Sequence, residues 1–379
     1  MLNLDEEQRM VVGMIEELAE DEFADRAFDW DDEYPWPNME LLAEQGVLGI
    51  NLPEKYGGGG MTEFEAILVV EAIGRVCPDT AYAVYGQSMV SPRAIDMFGT
   101  EAAKDKYLPP VIDGESAIAI AISEPHAGSD VGAMNTHVEE DGGDLYLSGE
   151  KIWVSSVEAS DAAVVWTKFP DGNLGTVIMD FDAPGVEINE HYENMAGHHQ
   201  THFFMEDVPI PEENVLVRGR QAFKEQLKAL NWERCGAGAV AAAIARCAFD
   251  IALEYAGDRE QFGQPIGEFQ GLRWKLADMA TELEAARSLV YRSALNAEAA
   301  GRVPDRLEVS MAKLHACRMA EEVVSEALQV TGATGYQKDH PLEYLYRLQR
   351  GRRIAAGTDE VMKNTIADAL FDEGLPSLT

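Results

Sequence analysis

Apolar positions along the chain change period twice. From residue 5 to about 116 they recur every three to four residues, which predicts helices that include 6–22, 36–45, 63–74 and 94–98. From 117 to about 217 the pattern turns to short β-rich runs. The apolar stretch 117–122 predicts a buried strand, and further strands are expected at 145–148, 163–167, 176–179 and 202–205. Gly and Asp-Gly turns at 141–143 and 171–173 separate them, as in a small β-barrel or sandwich. From about 220 to 373 helical spacing returns over 221–255, 269–300, 305–330 and 358–371, with few breakers. That predicts an antiparallel four-helix bundle. The expected fold is α+β and multidomain: an N-terminal helical domain (1–116), a central β domain (117–219) and a C-terminal helical bundle (220–379). The run Gly57-Gly58-Gly59-Gly60 is expected to be a flexible turn between helices. No Lys-Ser or Lys-Thr follows it, as a phosphate loop requires.

Composition narrows the class. With 379 residues, 46% of them hydrophobic, the chain can bury a sizeable core. No uncharged apolar run approaches roughly 18 residues, so no membrane insertion is expected. The acidic N-terminus has no basic segment followed by an apolar one, which points to the cytoplasm. Cys77, Cys235, Cys247 and Cys317 have no CxxC spacing and are expected to be free thiols. Net charge is −37, from 67 acids against 30 bases, so nucleic acid and anionic membranes would be repelled. Acids spread along the whole chain suggest a halophilic surface, screened by concentrated counterions. His198, His199 and His202 look metal-like but lie beside a strand, and the acidic cluster 29–33 lacks the spacing of a calcium loop. No metal site is expected.

The chemistry concentrates in two segments. Ser123-Glu124-Pro125-His126-Ala127-Gly128-Ser129-Asp130 follows the buried strand. Such a turn brings backbone N–H groups and short hydroxyls close to a bound planar or phosphorylated group. Lys151-Ile152-Trp153-Val154-Ser155-Ser156 follows about 25 residues later. In this order and at this distance the two resemble the flavin-binding half of the acyl-CoA dehydrogenase family. The α, β, α order extends the resemblance over nearly the whole chain.

The resemblance implies FAD as cofactor and an acyl-CoA as substrate. It places Ile122 and Ser123 at the flavin pyrimidine edge, with Gly128 in the same turn. Ser129 serves both the pyrophosphate and the thioester end of the substrate. Trp153 lies against the ring and Ser155 at N5; the family more often has Thr at positions 123 and 155. Arg259-Glu260-Gln261-Phe262-Gly263 and the segment holding Gln329 and Gly332 match motifs that reach the cofactor across a subunit boundary. A homo-oligomer, at least a dimer and by the family norm a dimer of dimers, is therefore expected. Arg suits the pyrophosphate because its fork binds phosphate oxygens bidentately. Thr358 and Glu360 fall at further cofactor positions.

The proton acceptor departs from the commonest family pattern. A glutamate is expected just before the Gly357-Thr358 pair, but this chain has Ala356, whose methyl group takes no proton. Asn231-Trp232-Glu233-Arg234 resembles the helix that supplies the glutamate in the isovaleryl-CoA and long-chain branches. One carboxylate gained and one lost is a coupled exchange, since two beside one carbon would repel each other or share a proton. Glu233 is thus the expected base. Ala356 keeps a backbone N–H for the thioester oxygen, and Asn231, Arg234 and Gly357 are expected on the substrate side. The implied reaction is dehydrogenation to a trans-2-enoyl-CoA, with electrons passing to an electron-transferring flavoprotein. Two alternatives stay open: an oxidase or flavin monooxygenase of the same fold, and a catalytically silent flavin-binding protein.

Overall fold

The computed structural model describes residues 4–30 and 33–375. Residues 1–3 of the acidic N-terminus, Asp31 and Asp32 of the acidic cluster, and 376–379 lie outside the described residues. The N-terminal stretch folds into α1 (Glu6–Leu18), α2 (Trp36–Glu44), α3 (Glu63–Gly74), α4 (Pro78–Tyr85), α5 (Ser91–Phe98) and α6 (Glu101–Ile112). Asp5 caps α1 through a reciprocal pairing with Gln8. The helix expected over 6–22 does continue past α1, but as a wider π turn at Ala19–Phe23.

The Gly57–60 turn, expected to be flexible, is tied to the preceding backbone by hydrogen bonds. The N–H groups of Gly58, Gly59 and Gly60 donate to Pro53, Gly49 and Leu52 carbonyls at 3.2, 3.2 and 2.9 Å. A Cβ on Gly58 would stand 2.3 Å from the Leu52 oxygen. Glycine is needed here because the backbone packs against itself.

The central stretch forms β1 (Ala117–Ala121), β2 (His137–Asp141), β3 (Asp144–Ser155), β4 (Ser160–Lys168), β5 (Leu174–Asp180), β6 (Val186–Glu193), β7 (His199–Ile210) and β8 (Val215–Val217). They make one sheet with the order β6-β7-β3-β2-β4-β5-β8, and β1 adds to β4 in parallel. The expected barrel or sandwich is thus a single sheet that encloses one core. Inward residues such as Val138, Leu147, Ala163, Val165, Val177, Met179 and Phe203 fill that core. The alternate positions Ile118, Ala162, Val164 and Ile178 pack against Ile95, Tyr107, Leu108 and Ile112 of α5 and α6. Both faces of β1, β4 and β5 are therefore covered, which is why they read as unbroken apolar runs.

The C-terminal stretch contains α7 (Ala222–Asp258), a short hairpin of β9 (Glu260–Gln261) and β10 (Gln264–Pro265), α8 (Gln270–Ala299), α9 (Arg306–Thr331), α10 (Pro341–Arg352) and α11 (Asp359–Glu373). Among the described residues α7 alone is long and apolar enough to cross a membrane, but 72% of that window is buried inside the protein. Its small residues let neighbours approach closely. A Cβ on Gly74 of α3 would lie 2.7 Å from the Ala243 Cβ, and one on Gly238 would lie 2.8 Å from Val290 of α8. The four cysteines are free and buried.

The described chain divides into two compact units. One comprises 30–66 and 83–232, and so holds the large sheet. The other gathers 4–29, 67–82 and 233–375.

Candidate active site

In the sheet-containing unit, the turn after β1 is anchored from below. Lys151 of β3 is wholly buried, and its ammonium donates to the Ile122 carbonyl at 2.9 Å and to Glu124 Oε1 at 3.0 Å. The Glu124 carboxylate also accepts the backbone N–H groups of Asn135 at 2.5 Å and Thr136 at 2.9 Å. Burial alone would raise the pKa of Glu124, but those N–H groups and Lys151 bring it below its ordinary value. Burial pushes Lys151 down to about 8 against the pull of Glu124. Beside this pair the Ile152 N–H donates to the Ser123 carbonyl at 3.0 Å.

The β3–β7 register slips between Lys151 and Val154. Trp153 occupies the slip in left-handed conformation (φ 62°), with its indole 51% exposed and in contact with Tyr192 at 5.1 Å between ring centroids. A left-handed tryptophan costs about 1–3 kcal/mol. The bulge re-aims this side chain outward. Ile122, Ser123 and Ser155 are half-buried, and Gly128 and Ser129 are exposed. Ile122 packs beside Ala127, Met134 and Trp166.

In the other unit, Glu233 is 8% exposed on α7. Burial raises its pKa to about 7, against the opposing pull of Arg234 and Lys313. Arg234 is equally buried, and burial lowers its pKa. Lys313 of α9 is wholly buried, and its ammonium donates to the Gly357 carbonyl at 2.7 Å. Ala356 and Gly357 are both left-handed, with φ of 56° and 97°. The Arg234 Nη2 lies 3.9 Å from where a Gly357 Cβ would stand. The turn is closed by Arg353, whose Nε donates to Asp359 at 3.0 Å, and by Thr358, which caps α11 through the Val361 N–H. Thus Arg234 approaches the Gly357 turn, and Lys313, whose charge acts on Glu233, holds that turn by its carbonyl. Glu360 is exposed at the start of α11, while Asn231, on α7 in the sheet-containing unit, is buried.

The two remaining motif segments are exposed in this unit. Phe262 and Gly263 have φ of 55° and 81° and form the turn of the β9–β10 hairpin, with Phe262 94% exposed. Arg259 and Gln261 flank that turn in the open, and Gln329 and Gly332 are likewise exposed at the end of α9.

Glu124, Lys151 and Lys313 were missed by motif reading. Lys313 had left a signal. It interrupts the small-residue stripe Val309, Ala312, Ala316, Cys317, Ala320 at helical spacing, where a cation must find a buried acceptor. Two of the histidines in this stretch are hydrogen-bonded to carboxylates: His199 with Glu158 at 2.7 Å and His202 with Glu150 at 2.9 Å. Among the described residues no group of three or more His, Cys, Asp or Glu could hold a metal ion.

Three family models cover almost the whole chain. They describe the N-terminal domain (residues 5–115), the middle domain (119–208) and the C-terminal domain (222–371) of acyl-CoA dehydrogenases. The chain belongs to the acyl-CoA dehydrogenase family. It is 33% identical to the probable acyl-CoA dehydrogenase YngJ of Bacillus subtilis over 97% of this chain and 99% of that one. It is 34% identical to 3-sulfinopropanoyl-CoA desulfinase of Paraburkholderia xenovorans over 99% and 98%. The structure of butyryl-CoA dehydrogenase from Megasphaera elsdenii matches it with a TM-score of 0.91 and 30% identity, over 98% of this chain and all of that one. As an acyl-CoA dehydrogenase family member the protein is an oxidoreductase that uses FAD. Its residues fit that cofactor. The hydroxyls of Ser123, Ser129 and Ser155 have no partner among the described residues, and the strained Trp153 presents half its indole to whatever binds there.

Proposed function

We propose that this enzyme dehydrogenates an acyl-CoA thioester between the α and β carbons, giving the trans-2-enoyl-CoA. Glu233 takes the α proton on its carboxylate. The observation that carries this reading is the raised pKa of Glu233, about 7, beside a turn whose own residue 356 is an alanine. A base poised near neutrality suits an α proton acidified by a held carbonyl. The Ala356 N–H supplies one fixed donor for the thioester oxygen; no backbone carbonyl takes it among the described residues. Lys313 keeps the left-handed turn in place by holding the Gly357 carbonyl. Ser129, Asn231, Arg234 and Gly357 are assigned to the substrate. Ile122, Ser123, Gly128, Trp153 and Ser155 are assigned to the flavin ring, and the hydroxyls of Ser123 and Ser155 donate to its polar edge. FAD, when bound, accepts the hydride from the β carbon.

The same reading assigns Arg259, Gln261, Phe262, Gln329, Gly332, Thr358 and Glu360 to the adenosine half of the cofactor. A second copy of the chain would cover Phe262, and a dimer of dimers is the assembly proposed. Placement of the base follows the isovaleryl-CoA and long-chain branches. Electrons leave to an electron-transferring flavoprotein, and the exposed Trp153, in contact with the half-buried Tyr192, suits such an exit. The −37 charge suits a salt-rich cytoplasm.

The test is anaerobic bleaching of the bound flavin by a panel of straight, branched and 3-sulfinopropanoyl thioesters. Bleaching by wild type and none by Glu233→Gln supports the assignment. A yellow protein that no thioester bleaches sinks it. Oxygen uptake without an added acceptor would favour the oxidase reading instead.

A further inference from the structure

The Lys151–Glu124 pair performs no step in the proposed reaction, yet it sits at the centre of the sheet-side residues. Both side chains are buried, at 0% and 1% exposure. Burying two charges is costly unless their hydrogen bonds are complete. Here Glu124 has two backbone N–H groups and one ammonium, and Lys151 has a carbonyl and a carboxylate. The Met134 sulfur closes the site at 4.0 Å. His126 is the other titratable group against the pair, with Nε2 at 3.6 Å from Glu124 Oε2.

The geometry joins two segments at one point. Through Ile122 and Glu124 the ammonium holds the start of the turn that carries Ser123, Gly128 and Ser129. Through the Asn135 and Thr136 N–H groups the Glu124 carboxylate holds its end. The same lysine belongs to β3, two residues before left-handed Trp153, at the edge of the register slip. Hydroxyls on one segment and indole on the other can share one ligand only if their spacing is fixed.

We infer that Lys151 is a positioning residue for the flavin ring, its buried ammonium setting the turn 122–136 against the Trp153 bulge. This inference rests on the flavin assignments proposed above. Deleting one partner of a buried, hydrogen-bonded charge pair leaves the other uncompensated, so the turn should slacken where the cofactor contacts it.

The test uses the holoenzyme. FAD release on dilution and the visible circular dichroism of bound flavin are measured for wild type and Lys151→Met, with far-ultraviolet dichroism reporting the fold. Release faster by roughly tenfold or more, with an altered visible spectrum and an intact far-ultraviolet one, is expected. If the variant does not fold, the wild type answers alone. With the Lys151 pKa at about 8, FAD release should accelerate between pH 7 and 9.5. Unchanged release and spectrum in Lys151→Met, or a flat wild-type profile where the variant cannot be made, overturns the inference. Wild type that retains no FAD overturns the proposed function as well.

Discussion

Glu233 gives the sharpest quantitative expectation, because under the proposed function one carboxylate governs both rate and stability. Its pKa lies at about 7 rather than 4.5, since burial outweighs Arg234 and Lys313. Only the ionised form accepts a proton. Flavin reduction at saturating thioester should therefore rise about tenfold between pH 6 and 8, with its half-point near 7. Stability moves oppositely. The folded state favours the protonated acid, a contribution fully present below pH 4.5 and lost as pH climbs through 7. Above that, keeping the carboxylate ionised in place costs the fold about 3 kcal/mol. Glu233→Gln removes the acceptor and the cost together. It should abolish rapid bleaching while raising the urea midpoint at pH 8.5 and leaving it nearly unchanged at pH 4. Stopped-flow absorbance and urea titration at the two pH values read both effects. A rate that is flat from pH 5.5 to 8.5, or a variant no more stable at pH 8.5 than wild type, refutes the reasoning.

Lys313→Met removes a charge that lowers the Glu233 pKa, so the half-point of the pH–rate profile should move above 7; an unmoved half-point contradicts the assignment. Gly357→Ala places a methyl 2.7 Å from the Met362 Cε at φ 97°, and should cost about 1–3 kcal/mol in urea unfolding. Arg287→Ala strands Glu71, whose carboxylate pairs with Arg287 at 2.8 Å and accepts the Tyr291 hydroxyl at 2.5 Å. Burial already raises the Glu71 pKa. The loss should be about 3–5 kcal/mol at pH 8 and should shrink as pH falls, because burial favours the protonated acid. Thermal melts across a pH series check it.

Local pattern made much of this protein legible. The switch of apolar period at 117 and 220 located the β region, and β-rich runs marked strands within it. Three helices went unnamed for physical reasons. In α6, Pro109 and Pro110 mimic a stop signal although the helix carries through them. Polar and charged residues interleave in α10 with its buried Leu342, Leu345 and Leu348. The short α4 offers barely two turns of periodicity. The motif around Glu233 and the vacancy at Ala356 could be read because each is a contiguous string. Glu124–Lys151 and Lys313–Gly357 could not, because each joins residues 27 or 44 positions apart. Nothing in a linear string states that a lone lysine will meet a carbonyl of a distant turn.

The glycine-sized contacts at Gly74 and Gly238 have a consequence for how this protein can vary. They leave no room for a larger residue where α7 packs on α3 and α8, and so constrain the helix that carries Glu233. The loop at 355–357 donates only main-chain groups to the arrangement proposed. On that proposal its methyl-bearing residues carry no acid–base role, and substitutions there can resculpt the space offered to the acyl group while the proposed proton acceptor stays on α7.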